Sequence, residues 1–330
     1  MQAIGFNGVD FIEFEKEIDS PLAHDLLVEI RAISINPIDT KVKQTVTNKQ
    51  ASPVILGFDA CGIVRAVGDK TSLFNVGDEV FYAGDMTRDG SNATHQLVDE
   101  RIVGRKPASL SYDQVAALPL TSITAWESLF DRLKITKSDQ DKTLLLIGAA
   151  GGVGSMAIQF AKQVVGINII ATASRTESKD WCKQMGADVV IDHHDLVGQF
   201  KDNNLEAPNF ILCMGDPDEY FETMAELIAP QGSICLLANA GKDYNINLLK
   251  AKSITLVWEM MFTRSMFATN DLIKQHELLN EVASLVDSGK VVTTATHQLS
   301  PINLENIVRA HAIIEKREMI GKLVITQITH

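Results

Sequence analysis

The sequence predicts an α/β protein in which a doubly wound parallel sheet is set between two parts of a mostly β domain. Three observations predict it. Residues 143–162 read TLLLIGAAGGVGSMAIQFAK: a buried apolar strand, a tight glycine turn, then a helical pattern. From there to about residue 258, short apolar runs alternate with helix-period stretches, the signature of a parallel sheet with crossovers. Before about residue 117 the runs are short, alternating and bracketed by glycines. After residue 262 the chain is too short to fold alone and should return to the first domain. The expected boundaries are 1–117, 118–262 and 263–330.

In chain order, residues 26–33 alternate as a strand, 62–68 form another between two glycines, and 74–81 carry a turn before a short strand. Residues 84–94 are polar and glycine-containing, so they read as a loop. Such short strands suggest a compact barrel. From Tyr112 the period becomes helical, with a break at Pro119. Strands then fall at 144–147, 168–173, 189–191, 209–214, 233–238 and 253–258. Helices fall at 155–165, 178–185 and 220–228, the last stopped by Pro230-Gln231-Gly232. Amphipathic helices at 272–288 and 304–318 and a strand at 321–325 complete the chain.

The 330 residues are 45% hydrophobic and 22% charged, which suits a globular enzyme of two domains. A net charge of −12 with no Lys/Arg run argues against a nucleic-acid surface. No signal peptide is expected before the first strand. Cys61, Cys182, Cys213 and Cys235 are far apart in apolar or helical contexts, which points to reduced thiols and a cytoplasmic location. The uncharged run 143–161 is nearly long enough to span a membrane, but glycines at its middle oppose a spanning helix.

Gly148, Gly151, Gly152 and Gly154 let the backbone approach an anion, and the following helix offers it unpaired N–H groups and a partial positive charge. A dinucleotide pyrophosphate is the expected ligand, although the spacing is G-x-x-G-x-x-G and not G-x-G-x-x-G. A glycine turn that merely packs strand on helix is the alternative.

Asn36-Pro37-Ile38-Asp39, Gly57-Phe58-Asp59-Ala60-Cys61-Gly62, Ala117-Leu118-Pro119-Leu120-Thr121, Thr124-Ala125-Trp126, Gly148 to Gly154, Met185-Gly186-Ala187-Asp188 and Gly321-Lys322 follow one another across nearly the whole chain. In that order they resemble the medium-chain dehydrogenase/reductase superfamily, and most nearly its quinone oxidoreductase-like branch. The resemblance implies a Rossmann domain inserted in a GroES-like catalytic β-barrel domain, binding NADP(H).

Zinc members of that superfamily place a Cys near the position of Asn36 and a His-Glu pair after the glycine matching Gly57. Here Asn36-Pro37 and Phe58-Asp59 stand there, and no C-x-x-C occurs. Zinc needs three or four converging ligands, so no metal is expected. His193-His194, between Asp192 and Asp195, reads as a solvated loop. Without a Lewis acid, acceptors whose developing charge is delocalised are favoured: quinones and α,β-unsaturated carbonyls, with the oxyanion held by hydrogen-bond donors.

By the same resemblance, Asn36 and Thr124 line the nicotinamide end and are the catalytic candidates. The alternatives are a turn at Asn36-Pro37 capped by Asp39, and a helix-face threonine satisfied by its own backbone. Relatives carry a Tyr five positions after that Asn, whereas this chain has Lys41. The turn residues Gly148, Gly151, Gly152, Val153 and Gly154, with Ala238 and Lys322, are the expected cofactor contacts. After the second strand of the sheet come Ser174-Arg175, with no carboxylate before Glu177. NAD-type folds keep a carboxylate there for the ribose 2′-hydroxyl, so Ser174, Arg175 and Lys179 point to the 2′-phosphate of NADPH, or else to a solvated loop. Cys213 ends the fourth strand, where ligands sit in such sheets, or is an inert apolar thiol.

The expected activity is NADPH-dependent, zinc-independent hydride transfer to a quinone or enone. An aldehyde/ketone reductase and a nucleotide-binding redox sensor are the rivals. The stretches 40–56 and 262–270 should shape the acceptor pocket, and the apolar strand at 253–261 should lie at a sheet edge and support a homodimer.

Overall fold

The computed structural model describes residues 1–48 and 52–327. Residues 49–51, part of the stretch expected to shape the acceptor pocket, lie outside the described residues. The chain divides into two compact units. One comprises Met1–Ile123 and Phe262–His330, and the other comprises Thr124–Met261.

The first unit begins with β1 (Gln2–Phe6), β2 (Phe11–Glu15) and the 11-residue β3 (Asp25–Ile35). Helix α1 (Pro37–Thr45) follows, then β4 (Val54–Ile55), β5 (Asp59–Val67), β6 (Glu79–Tyr82), β7 (His95–Asp99) and β8 (Val103–Arg105). Two short helices, α2 (Tyr112–Ala116) and α3 (Pro119–Trp126), lead out of it, and Pro119 opens the second of them.

The second unit runs β9 (Thr143–Ile147), α4 (Gly152–Phe160), β10 (Asn168–Thr172), α5 (Thr176–Met185) and β11 (Val189–Ile191). It continues with α6 (Leu196–Asp202), β12 (Phe210–Cys213), α7 (Pro217–Leu227), β13 (Ser233–Leu236) and β14 (Thr255–Trp258). The first unit resumes with α8 (Thr263–Met266), α9 (Lys274–Asp287), β15 (Ala295–Leu299), α10 (Leu304–Glu315) and β16 (Lys322–Thr326).

In the second unit the six strands pair in parallel in the order β11-β10-β9-β12-β13-β14. The order reverses between β9 and β12, the switch point where such sheets bind ligands beyond their carboxyl ends. Leu144, Leu145, Leu146 and Ile147 of β9 are all buried, as a strand covered on both faces requires. The core continues from Leu145 across the sheet through Ile170, Ile211 and Ile234. β11 and β14 are the edge strands of this sheet, and Trp258 at the end of β14 is 47% exposed.

In the first unit β3 is the organising strand. It pairs antiparallel with β5, β7 and β16, and β16 in turn pairs with β15. A three-stranded sheet, β2-β1-β4, lies in the same unit. The core behind β3 gathers Leu26, Val28, Ile30, Ile33, Val80, Ile307, Leu323 and Ile325, so both ends of the chain contribute to it.

Several local expectations change. Asn36-Pro37 does not close a turn but starts helix α1, with Pro37 at its first position and the Asp39 carboxylate accepting the Asn36 N–H at 2.6 Å. β1 and β2 form an antiparallel pair, and α6 is a helix despite Gly198, because Asp195 caps it through the Gly198 N–H. The helix expected over 155–165 keeps helical form to Phe160 and ends in a wider π-type turn over 161–165, closed by Gly166 at φ +85°.

Candidate functional site

In the second unit, the glycines of the turn after β9 are needed for different reasons. Gly148 sits at φ +83°, which a side chain would strain, and its N–H donates to Thr172 Oγ1 at 3.0 Å. A Cβ on Gly154 would lie 2.3 Å from the Ala149 carbonyl oxygen, so Gly154 is fixed by packing of helix against turn. Gly151 is different. Its φ is −73°, it caps α4, and a Cβ there would meet nothing nearer than the Gly148 oxygen at 3.8 Å. Neither backbone strain nor packing requires a glycine at 151, which leaves the space beside it open for a ligand. Gly152 and Val153, half-buried, are the first helical residues beyond it, where N–H groups have no partner within the helix. Ser155 Oγ donates to the Gly151 carbonyl at 2.7 Å and accepts Trp181 Nε1–H at 2.8 Å, which ties the turn to α5.

Beyond β10, Ser174 is half-buried and Arg175 is exposed as the N-cap of α5. Lys179 lies one helical turn on, its N–H donating to the Arg175 carbonyl at 2.9 Å. Two cationic side chains therefore share the first turn of α5. Ala238 is half-buried two residues past β13, and its carbonyl accepts Trp258 Nε1–H at 3.4 Å. Thr124 is 7% exposed in the second half of α3.

Cys213 stands otherwise than expected. It ends β12, but its side chain is wholly buried in the sheet's core with Leu145, Ile147 and Ile211, and burial pushes its thiol up to about 12. Ile211 and Cys213 share the face of β12 that packs into this core.

His193 and His194 occupy the loop after β11. With Asp192 they form the one group of three potential metal donors among the described residues, its ligand atoms within 4.8 Å of one another. Their partners are local: His194 Nδ1 lies 2.5 Å from Asp192 Oδ1, and His193 Nδ1 3.1 Å from the Tyr220 hydroxyl.

In the first unit, strand register brings Asn36, Asp59 and Lys322 together. Leu323 of β16 lies opposite Ile35 of β3, and Ser34 opposite Asp59 of β5. Three neighbouring strand ends thus present these residues to one another. All are buried: Asn36 at 1%, Asp59 at 0% and Lys322 at 4% exposure. Lys322 Nζ donates to Asp59 Oδ2 at 3.0 Å and to Asn36 Oδ1. Asn36 Nδ2 donates to Asp59 Oδ2 at 2.9 Å and, more weakly, to the Ser34 carbonyl at 3.4 Å. Asp59 Oδ1 accepts the Leu120 N–H at 2.7 Å. The result is a closed triangle of ammonium, amide and carboxylate.

Asp39, fully buried beside it, has its carboxyl pushed up to about 7, chiefly by burial, against the pull of the Asn36 N–H and the Lys322 charge. The sequence points to Lys322 as a cofactor contact and gives Asp59 no role. The structure puts the Lys322 ammonium against Asn36 and Asp59 instead. The available signal is the carboxylate at the start of a strand otherwise apolar in its first half.

Two family models match: residues 22–120 fit the alcohol dehydrogenase GroES-like domain, and residues 152–281 the zinc-binding dehydrogenase family. The chain is 44% identical over 336 residues to a zinc-type alcohol dehydrogenase-like protein of Staphylococcus aureus, covering 98% of this chain and 99% of that one. A solved structure from Rhizobium etli CFN 42, named as a putative zinc-dependent alcohol dehydrogenase protein, aligns with a TM-score of 0.94 at 44% identity. It covers 100% of this chain and 99% of its own. An Arabidopsis thaliana NADPH-dependent alkenal/one oxidoreductase, chloroplastic, is 27% identical over 97% of this chain and 77% of that protein.

The zinc in those names does not fit the residues here. The amide of Asn36 and the carboxylate of Asp59 are bound to an ammonium, and Phe58 packs on Phe262 with ring centroids 4.7 Å apart. Cys61 is wholly buried within β5, and burial drives its thiol far above the ordinary range. With two-domain coverage, this degree of identity and the ordered landmarks together, the chain belongs to the medium-chain dehydrogenase/reductase superfamily, in its quinone oxidoreductase-like branch, and is an oxidoreductase.

Proposed function

We propose that the protein is an NADPH-dependent, zinc-independent reductase that delivers a hydride to a quinone or an α,β-unsaturated carbonyl. The observation that carries this reading is the buried triangle of Asn36, Asp59 and Lys322. It offers hydrogen-bond donors and a fixed positive charge but none of the histidine or cysteine ligands of a zinc site. The alkenal/one oxidoreductase relative supports the acceptor class and the cofactor.

Bound in the second unit, the reduced nicotinamide supplies the hydride. The open space beside Gly151 and the N–H groups of Gly152 and Val153 receive the pyrophosphate. Arg175, with Lys179 and Ser174, takes the 2′-phosphate. A guanidinium can grip that group with two N–H bonds, and no carboxylate precedes Glu177 to repel it. Thr124 serves the nicotinamide end, and Ala238 lines the cofactor site.

Asn36 has one amide N–H held only at 3.4 Å by the Ser34 carbonyl, and this is the N–H that can be shared with an oxyanion while the other stays on Asp59. When the acceptor's β-carbon takes the hydride, its π electrons move to oxygen, and that oxygen is where the donor acts. A homodimer formed along the β14 edge and a cytoplasmic location with all four cysteines reduced complete the reading.

The test is direct. Purified protein is mixed with NADPH or NADH and a panel of quinones, enones and aldehydes, with and without chelator, and reduced nicotinamide is followed by absorbance. Oxidation of NADPH by quinones or enones, unaffected by chelator, is expected. No oxidation with any acceptor overturns the reading, and activity that chelator removes and zinc restores overturns its metal-free part.

A further inference from the structure

We propose that Lys322 is the resident cation of the candidate active site. Its ammonium fills an oxygen-lined position that would otherwise suit a metal ion, and it polarises the Asn36 amide toward the hydride acceptor. This rests on the proposed function for its catalytic half alone.

The argument begins with cost. Burying an ammonium is expensive unless oxygens replace its water, and Lys322 is 4% exposed. The replacement oxygens are specific: Asn36 Oδ1 and Asp59 Oδ2. One carboxylate oxygen and one amide oxygen, hard donors of the kind that hold a small cation, face the ammonium, and the buried, unpartnered Oδ1 of Asp39 lies on the residue that caps Asn36. Here the cation is covalently part of the chain. A salt bridge needed only to join strands would not require an intervening amide. In this triangle the amide oxygen is bound to the ammonium while the amide nitrogen donates onward.

Withdrawal of electron density at Oδ1 makes the Nδ2–H groups stronger donors, because hydrogen bonds in a chain polarise one another. One of those N–H groups is committed to Asp59 at 2.9 Å, and the other is weakly held at 3.4 Å. Lys322 is thus a positioning residue that acts through Asn36. Asp59 holds both, and its second oxygen is anchored by the Leu120 N–H.

The experiment has two arms. The first needs no turnover. Lys322→Ala empties the position but also strands Asp59, so it is first shown folded by circular dichroism, and binding of Mn²⁺ and of n-propylammonium is then measured by calorimetry against the wild type. One site per chain is expected in Lys322→Ala, absent in the wild type and in Lys322→Ala/Asp59→Asn. Equal binding by all three, or none by any, overturns the cation site.

The second arm compares kcat and NADPH affinity. Lys322→Met alone strands the Asp59 carboxylate and can unfold the protein, so Lys322→Met/Asp59→Asn, which removes both charges together, is made beside it. A kcat at least tenfold lower at unchanged NADPH Kd is expected. Adding Asn36→Ala should cause little further loss, since residues acting as one unit are not additive. Wild-type kcat in the folded, charge-free variant overturns the catalytic half. Raised Kd with intact kcat overturns it too, by making Lys322 a cofactor ligand. If the wild type oxidises no NADPH with any acceptor, the proposed function falls, and the binding arm still decides the cation site.

Discussion

Gly151→Ala separates a glycine kept for a ligand from one kept for the fold. At φ −73° the alanine is unstrained, and its Cβ would touch only the Gly148 oxygen, at 3.8 Å. Alanine is a poorer N-cap than glycine by about 0.5–1 kcal/mol. Against this, it reduces unfolded-chain entropy by about 0.4–1 kcal/mol. The two nearly cancel, so stability should stay within about 1 kcal/mol of wild type. Nucleotide binding should not survive as well. The added methyl occupies the space through which a phosphate approaches the first N–H groups of α4, and each charge-assisted hydrogen bond lost is worth about 1.5–3 kcal/mol. One such loss weakens NADPH binding roughly 10- to 150-fold.

Gly154→Ala is the internal control. Its Cβ would stand 2.3 Å from the Ala149 oxygen and 2.5 Å from its Cα, backbone atoms that cannot swing aside. It should lose about 1–3 kcal/mol of stability before any ligand is added. Urea unfolding without nucleotide and NADPH fluorescence titration measure the two quantities. Gly151→Ala binding NADPH as tightly as wild type, or destabilised as much as Gly154→Ala, would refute the reasoning.

Three further outcomes are expected. Arg175→Asp should lower kcat/KM with NADPH toward the low end of a roughly 10- to 150-fold range, because the site is exposed. It should also raise the relative use of NADH, and an unchanged cofactor ratio makes Ser174-Arg175 a surface loop. His311, packed on Phe11 with ring centroids 4.8 Å apart, has its imidazole pushed down to about 4, mainly by burial. A depressed folded pKa means its contribution is present above the unfolded value near 6.5 and is lost as pH falls from there toward 4. The loss is at most about 3 kcal/mol. Asp39, raised to about 7, runs the other way over much of that window, losing stability as pH rises. His311→Leu should therefore lower the slope of unfolding free energy against pH by about 1.4 kcal/mol per unit relative to wild type, and parallel curves would show His311 charged in the fold. Trp258→Lys on the β14 edge should yield a monomer by light scattering at micromolar concentration if that edge pairs with a second copy, and an unchanged mass excludes that interface.

Much of the fold is legible in the sequence because its signals are local. The run Leu144 to Ile147, the glycines after it and the alternation of strands with helices each declare themselves within a dozen residues. The alternative reading of Asn36-Pro37, a turn capped by Asp39, has the right cap but the wrong element, because proline at a first helical position and proline in a turn look alike in sequence. α6 escapes a sequence reading because seven residues containing Gly198 show little periodicity. The triangle at the candidate site is hidden for a different reason. Lys322 and Asn36 are 286 positions apart, and only the register of β16 on β3 brings them into contact. Cys213 shows the same limit on a smaller scale: its place at a strand end is legible, but the face it turns to depends on the sheet around it.

The placement of β16 also bears on how the chain is made. β3 is complete by residue 35, yet one of its flanking strands comes from residues 322–326. At a synthesis rate of roughly 5–20 residues per second, that edge stays open for about 15–60 s while the rest of the chain emerges. The intervening unit, Thr124–Met261, has its whole sheet in hand before β16 exists. An uncharged strand end, residues 32–35, waiting for a late partner is a template for mispairing. The late-covered stretch is residues 32–35, since β7 already pairs with residues 25–29, and a chain released before residue 322 leaves those four residues without their β16 partner.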